Sequence, residues 1–382
     1  MNQKRICFIV SAPITVKAFL QNHIVHLSEE YDIYIIANFQ ESEIASLRNL
    51  PVKKWINVEI GRGINLLDDL KALSKLTSIL RTEKFDAIHS ITPKAGLLSM
   101  FAGKIAGTKN RIHIFTGQVW FTKKGIGKSI LQTADRLTSY FATDVLVDGA
   151  SQRKFLIAEN IITEYKSRVL GKSSMGGVDA EKFTPVLAVA EGIRSSLNLP
   201  PNEVVYMFLG RMNLDKGIKD LALAFNILSQ EFQNVTLLLV GFDEQNIKQK
   251  LKGWIGDNPK VIFYGSTDEP HFVMQAADVF CLPSHREGLG QSVLEASMLE
   301  IPILCSDIYG LEDVIVENET GLKHKVSDTE SIVEGMRFYY REPQQRKKMG
   351  VKGRAYVLKY FDINEMTQKW IDYYREILNR PN

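Results

Sequence analysis

Short apolar runs alternate with amphipathic stretches along the whole chain. In the first half the runs are Arg5-Ile-Cys-Phe-Ile-Val10, Ile33-Tyr-Ile-Ile36, Ala87-Ile-His89 and Val145-Leu-Val147. In the second half they are Val204 to Leu209, Thr236 to Val240, Val261-Ile-Phe263, Val279 to Leu282 and Ile303-Leu-Cys305. Short β-branched runs of this kind read as strands covered on both faces, and the stretches between them carry helical spacing. Strands alternating with helices predict parallel sheets flanked by helices, an α/β fold. The chain has 382 residues, more than one core usually serves. Two doubly wound, Rossmann-like domains facing one cleft are therefore expected, over residues 1–175 and 176–361. In such sheets ligands bind beyond the carboxyl ends of the strands.

Two of the strands run into turns that carry chemistry. After Val279 to Leu282, Pro283-Ser284 breaks the run, and Glu287-Gly-Leu-Gly-Gln-Ser-Val-Leu-Glu295 follows, with helical spacing after Gln291. Glu287 then lies in a loop at a strand's carboxyl end, and Glu295 lies about one turn inside the next helix. Both carboxylates can face one crevice while the backbone N–H groups of Gly288, Leu289, Gly290 and Gln291 point at an anion. Carboxylates accept hydrogen bonds from sugar hydroxyls, and glycines allow close backbone approach. After Val204 to Leu209 comes Gly210-Arg211-Met-Asn-Leu-Asp-Lys216-Gly217. Arg211 offers a rigid fork of donors and Lys216 a mobile point charge, a pair suited to a departing diphosphate. The competing structural readings are a solvated basic loop and an ordinary surface-helix glutamate.

Charge changes the picture only locally. The net charge is +3, yet residues 94–172 hold thirteen Lys or Arg against five Asp or Glu, an excess of +8 that leaves the remainder at −5. Within that stretch Val119-Trp120-Phe121-Thr-Lys123-Lys124-Gly-Ile126-Gly-Lys128 interleaves aromatics with cations, as expected of a surface resting on anionic headgroups. A solvated basic face with Trp120 packed inward is the alternative. No nucleic-acid-binding motif accompanies the charge, so no nucleic-acid partner is expected. No run approaches the ~20 apolar residues that span a bilayer, and the amino terminus lacks a signal-peptide pattern. The expected location is cytoplasmic, peripheral on the inner face of the membrane. Cys7, Cys281 and Cys305 all fall in strands and show no metal-ligand spacing, so they read as core thiols. No G-x-G-x-x-G follows the first strand, which excludes the dinucleotide fingerprint. Gly127-Lys128-Ser129 and Gly171-Lys172-Ser173 lack the first glycine of a phosphate loop. No D-x-D triplet occurs, so no metal is expected and cationic side chains must manage the diphosphate.

The Glu287/Glu295 pair, within Pro283 to Ala296, resembles the E-x7-E signature of retaining glycosyltransferases of family 4, whose members use the two-domain GT-B fold. Gly210-Arg211 through Lys216-Gly217 resembles that family's G-R-x(4)-K-G turn, and Ser173 to Pro185 resembles the segment joining its two domains. The resemblance implies a UDP-sugar donor as co-substrate, with no cofactor. Arg211, Lys216 and Glu287 would act on the reacting sugar and its leaving group. Gly210, Gly288, Leu289, Gly290 and Gln291 would line the donor site, and Glu295 would hold the ribose hydroxyls. Retention by front-face attack and closure about residues 173–185 are further implications, as is a last helix, 362–382, packing back on the first domain. The first domain departs from the pattern. Ser11-Ala-Pro-Ile-Thr-Val-Lys17 stands where relatives carry Gly-Gly, and Thr116-Gly117 stands where they carry His-Gly. Lys94, His113 and Thr116 are the candidates for an acceptor or sugar pocket. The implied acceptor is a polyprenyl-diphosphate-linked sugar of capsule or O-antigen synthesis. The implied donor is a UDP-activated N-acetylated deoxyhexosamine such as N-acetylfucosamine. A UDP-sugar 2-epimerase of the same fold and a non-catalytic sugar-nucleotide-binding subunit remain as alternatives.

Overall fold

The computed structural model describes residues 3–61, 63 and 65–380. It divides into two compact units, one running up to Gly176 and including the stretch from Ile363 onward, the other Gly177–Asp362. In the first unit the strands are β1 (Lys4–Ile9), β2 (Tyr31–Ala37), β3 (Lys54–Asn57), β4 (Ala87–Ser90), β5 (Asn110–Phe115), β6 (Asp144–Val147) and β7 (Ser167–Arg168). They form a seven-stranded parallel sheet in the order β3-β2-β1-β4-β5-β6-β7. The second unit holds β8 (Val204–Leu209), β9 (Val235–Val240), β10 (Val261–Gly265), β11 (Val279–Leu282), β12 (Ile303–Ser306) and β13 (Gly321–His324), ordered β10-β9-β8-β11-β12-β13. Each sheet is doubly wound, and its strand order reverses beside its first strand.

Strand β1 shows why a continuous apolar run is needed in such a sheet. Ile6 and Phe8 enter one core with Leu20, Ile24 and Trp370, while Cys7 and Ile9 enter another with Leu76, Met100 and Trp120. Strands without such a run escaped the sequence reading: β3, β7 and β13 all lie at sheet edges. β3 is exposed at both ends and only half-covered at Trp55 and Ile56 between them, and β13 ends in Lys323-His324. The three cysteines are buried and free, and burial pushes their thiols well above the usual range.

The last helix, Ile363–Leu378, belongs to the first unit's core. Trp370 is stacked between His23, 4.4 Å away, and His89, 5.1 Å away, and donates its Nε1–H to the Ser174 carbonyl at 2.7 Å. Thr367 Oγ1 meets His23 Nδ1 at 2.9 Å, and the Tyr374 hydroxyl meets His89 Nδ1 at 2.7 Å. Burial lowers both imidazoles to about 3, so they are neutral at physiological pH.

Candidate functional site

The two motif-bearing turns leave neighbouring strands. β8 and β11 pair through Val279 with Tyr206 and Phe280 with Met207, at the point where the strand order reverses. Loops leaving such a pair frame the crevice in which doubly wound sheets bind ligands. Here they touch through the backbone. Gly217 has φ +68°, and a Cβ on it would lie 1.8 Å from the Pro283 carbonyl oxygen. Asp215 fastens the same contact: its carbonyl accepts from the His285 amide at 2.8 Å, and its carboxylate pairs with Arg286 Nε at 3.0 Å. His285 Nε2 also meets Asp220 Oδ2 at 2.7 Å.

This interlock brings Lys216 onto Glu287. Lys216 Nζ lies 2.5 Å from Glu287 Oε1, which also accepts from Ser284 Oγ at 2.6 Å. Both charged side chains are mostly covered, at 20% and 11% exposure. A charge-assisted bond in that setting holds both groups in one geometry. Arg211 stands further out, 55% exposed, with Nη1 on both carboxylate oxygens of Glu244 at 2.9 and 3.1 Å. Sequence reasoning passed over Ser284, Asp215 and Glu244 as participants. Ser284 and Asp215 lay inside the quoted motifs, but nothing local marked Glu244.

Beyond Glu287 the chain turns through Gly290, φ +73°, into the helix Gln291–Met298. A Cβ at Gly290 would meet Leu311 Cδ2 at 2.4 Å, and one at Gly310 would meet the Glu287 carbonyl oxygen at 2.6 Å. Two loops are thus pressed together where only glycine fits. The Leu289 side chain anchors this turn in the second unit's core. Among the described residues none accepts a hydrogen bond from the amides of Gly288, Leu289 or Gly290. Together with the helix N-terminus they leave donors suited to an anion.

Gln291 Nε2 bridges the Gly177 carbonyl at 2.9 Å and Glu295 Oε1 at 3.2 Å, while its own Oε1 is buried without a partner. Burial raises the Glu295 carboxyl from 4.5 to about 7, against the pull of Gln291 and Lys182. This has a consequence for stability. Between about 4.5 and about 7 the folded protein keeps a proton that the unfolded chain has lost, so Glu295 makes stability fall as pH rises through that window. Glu295→Gln is therefore expected to match the native thermal midpoint near pH 5 and exceed it near pH 8. A midpoint difference that does not change with pH would contradict the assignment.

The acceptor candidates all lie in the first unit. Lys94, at the start of the helix Pro93–Ala106, pairs with Asp69 Oδ1 at 2.6 Å and donates to the Gly63 carbonyl. His113 is 1% exposed, bonded to Ser90 Oγ at 2.8 Å. A Cβ on Gly96 would lie 2.4 Å from its ring, so His113 supports the helix that carries Lys94. Burial lowers its imidazole to about 3. The Thr116 carbonyl takes two amide donors, from Gln118 at 2.5 Å and Gln152 at 2.8 Å. Beside this network lies Asp148, which no motif marked. It is buried, its Oδ1 lacks a partner, and burial raises its carboxyl to about 8.

Of the two readings of the basic aromatic segment, the inward one describes Trp120. It is 1% exposed and donates to Asp135 Oδ2 at 2.7 Å. Ile126, Ile130 and Tyr140 on the helix Gly125–Phe141 turn outward, with Lys123 and Lys124 exposed before its start, while Lys128 is half-buried with its ammonium 5.6 Å from the centre of the Trp120 ring. Among the described residues no group of three or more His, Cys, Asp or Glu side chains is placed to hold a metal ion, and no helix is long and apolar enough to cross a membrane.

Residues 189–356, which contain both motifs, match the family described as glycosyl transferases group 1. The chain is 31% identical over 303 residues to the capsular polysaccharide biosynthesis glycosyltransferase CapM of Staphylococcus aureus, covering 78% of this chain and 79% of that protein. It is 24% identical over 315 residues to the UDP-Gal:alpha-D-GlcNAc-diphosphoundecaprenol alpha-1,3-galactosyltransferase of Escherichia coli, covering 81% of this chain and 80% of that one. Among solved structures, the Anabaena protein HepE in complex with UDP and glucose superposes with a TM-score of 0.81 at 16% identity, covering 97% of this chain and 99% of that one. The paired Rossmann-like units are those of the GT-B fold, and the chain belongs to the group 1 glycosyltransferases.

Proposed function

We propose that this glycosyltransferase moves a sugar from a UDP-activated donor to a polyprenyl-diphosphate-linked saccharide, with retention at the anomeric carbon and without a metal. The observation that carries the proposal is the Lys216–Glu287 contact at the crevice where the strand order reverses, beside the open amides of Gly288 to Gly290. The E. coli relative, named for a diphosphoundecaprenol-linked GlcNAc, supports the class of acceptor, and the S. aureus relative, named for capsular polysaccharide biosynthesis, supports a place in capsule synthesis. In this reading Arg211 and Lys216 receive the charge that develops on the departing diphosphate. Glu287 orients the donor sugar, Glu295 and the unpartnered Gln291 oxygen take the ribose hydroxyls, and Lys94 and Thr116 serve the acceptor. The bond from the anomeric carbon to diphosphate breaks as the acceptor oxygen attacks the same face, and the acceptor proton passes to the departing diphosphate oxygen.

The test offers UDP- and GDP-sugars, UDP-N-acetylfucosamine among them, with and without detergent-solubilised polyprenyl-diphosphate sugars, and measures released nucleotide beside the mass of the lipid. A lipid heavier by one sugar, with an α-anomeric signal from an α-linked donor and unchanged turnover in EDTA, is expected. Donor converted without lipid product favours the epimerase, and donor bound without conversion favours an idle subunit.

The same reading sets the protein on the membrane's inner face. Ile126, 82% exposed, and Tyr140, 75% exposed, give the helix Gly125–Phe141 apolar contacts among exposed lysines. Native protein is expected to pellet with phosphatidylglycerol vesicles and Lys123→Glu/Lys124→Glu to stay largely in the supernatant. Equal recovery of both would count against docking through this face.

A further inference from the structure

The loop after β9 bears on the site, although it carries none of the motif residues. A Cβ on Gly241, φ +133°, would lie 1.9 Å from the Gly210 carbonyl oxygen, so this loop and the Gly210–Gly217 turn meet backbone to backbone. Three hydrogen bonds stitch them together. The Met212 amide donates to the Phe242 carbonyl at 2.8 Å, the Glu244 amide to the Met212 carbonyl at 3.2 Å, and the Leu214 amide to Gln245 Oε1 at 3.0 Å. Glu244 is thereby fixed through its main chain, and its carboxylate is fixed again by Asn213 Nδ2 at 2.5 Å.

Asn213 also faces the other way. Its Oδ1 accepts from the Lys216 amide at 3.1 Å, capping the 3₁₀ turn Leu214–Lys216 that aims Lys216 at Glu287. One side chain therefore ties the carboxylate holding Arg211 to the turn presenting Lys216. The way Glu244 grips Arg211 is one-sided: both of its oxygens sit on Nη1, and among the described residues no acceptor lies on Nε or Nη2. That leaves one edge of the guanidinium, with parallel N–H groups, for a second oxyanion.

We propose that Glu244 is a positioning residue for the transfer reaction. It holds the exposed Arg211 guanidinium by one nitrogen so that the remaining edge meets the donor diphosphate already ordered. The inference rests on the reading of Arg211 as a diphosphate ligand. An arginine left loose on a surface loop loses rotamer freedom when it binds, whereas one already anchored loses less. Glu244 also adds a negative charge near the phosphates, but at an exposed position that repulsion is screened. Anchoring and repulsion predict opposite signs, so affinity decides between them.

The experiment is a double-mutant cycle on UDP binding, measured by calorimetry on the full chain, with GDP run in parallel as the alternative probe. Native, Glu244→Gln, Arg211→Ala and the double variant are compared, and thermal midpoints are recorded for each. Glu244→Gln keeps the side chain's size and one acceptor oxygen, and Glu244→Ala removes both. The expected result is a rise in Kd of about tenfold for Arg211→Ala, a smaller rise for Glu244→Gln and a larger one for Glu244→Ala. The double variant should bind no more weakly than Arg211→Ala alone. Unchanged or tighter binding by the Glu244 variants, while Arg211→Ala weakens it, overturns the inference and leaves the role of Arg211 standing. Losses that multiply in the double variant also overturn it, since Glu244 would then act apart from Arg211. If Arg211→Ala itself binds UDP like native, the reading of Arg211 falls, and the inference with it.

Discussion

Replacing Lys216 by methionine is expected to lower turnover by about a hundredfold or more, the scale of losing one preorganised donor to developing charge. Methionine keeps much of the chain's length and apolar stem, so the missing ammonium is the main change. It leaves Glu287, 11% exposed, with Ser284 as its remaining side-chain partner. A covered carboxylate without its cation is costly, so a modest fall in thermal midpoint should accompany the kinetic loss. Lys216→Arg is expected to recover little, because a planar fork cannot replace a point charge seated 2.5 Å from one carboxylate oxygen. Steady-state release of nucleotide from donor measures both variants. A Lys216→Met enzyme within threefold of native would remove Lys216 from the leaving-group role.

Gly217→Ala is expected to cost about 3 kcal/mol of stability, joining the penalty of a left-handed backbone to that of an overpacked contact. At φ +68° the new methyl would start 1.8 Å from the Pro283 carbonyl oxygen, and neither backbone can yield without parting the two turns. The parting would draw Lys216 off Glu287, so whatever remains folded should also lose turnover. Gly253→Ala is the control: that glycine lies within the helix Ile247–Ile255 with nothing near its Cβ, so alanine there should be neutral or stabilising by up to about 1 kcal/mol. Chemical denaturation of the two variants separates the cases. Equal stabilities would show that the backbone contact at Pro283 does not constrain this unit.

The first prediction rests on the contact of Lys216 with Glu287 and the second on that of Gly217 with Pro283, and neither contact is written in the local sequence. Each turn was legible by itself: Val204 to Leu209 and Val279 to Leu282 are strands with the bounds the apolar runs indicated, and each is broken by residues that cannot continue it. Their adjacency was not legible, because Lys216 and Glu287 stand 71 positions apart and no local period records which strands pair. Glu244, 33 positions from Arg211, was invisible for the same reason.

Burial was a second thing that pattern could not supply. Trp120 was open to an inward or an outward reading and His113 was a candidate for the sugar pocket, since one alternating or interleaved segment does not record what covers it. The structure turned both inward because residues from elsewhere cover them: Gly96 and Ser90 over His113, Asp135 and Phe155 over Trp120. The raised carboxyls of Glu295 and Asp148 follow from the same covering.

By itself the sequence determined the class of the fold and the placing of its glycine-bearing turns at strand ends, because hydrophobic period and backbone permissiveness are local properties that neighbouring residues set. Tertiary structure alone decided which turns meet, which cation rests on which carboxylate, which strands end up as edges, and which acids keep their protons. Those depend on distance and on exclusion of water, and both are settled only when remote segments are packed together.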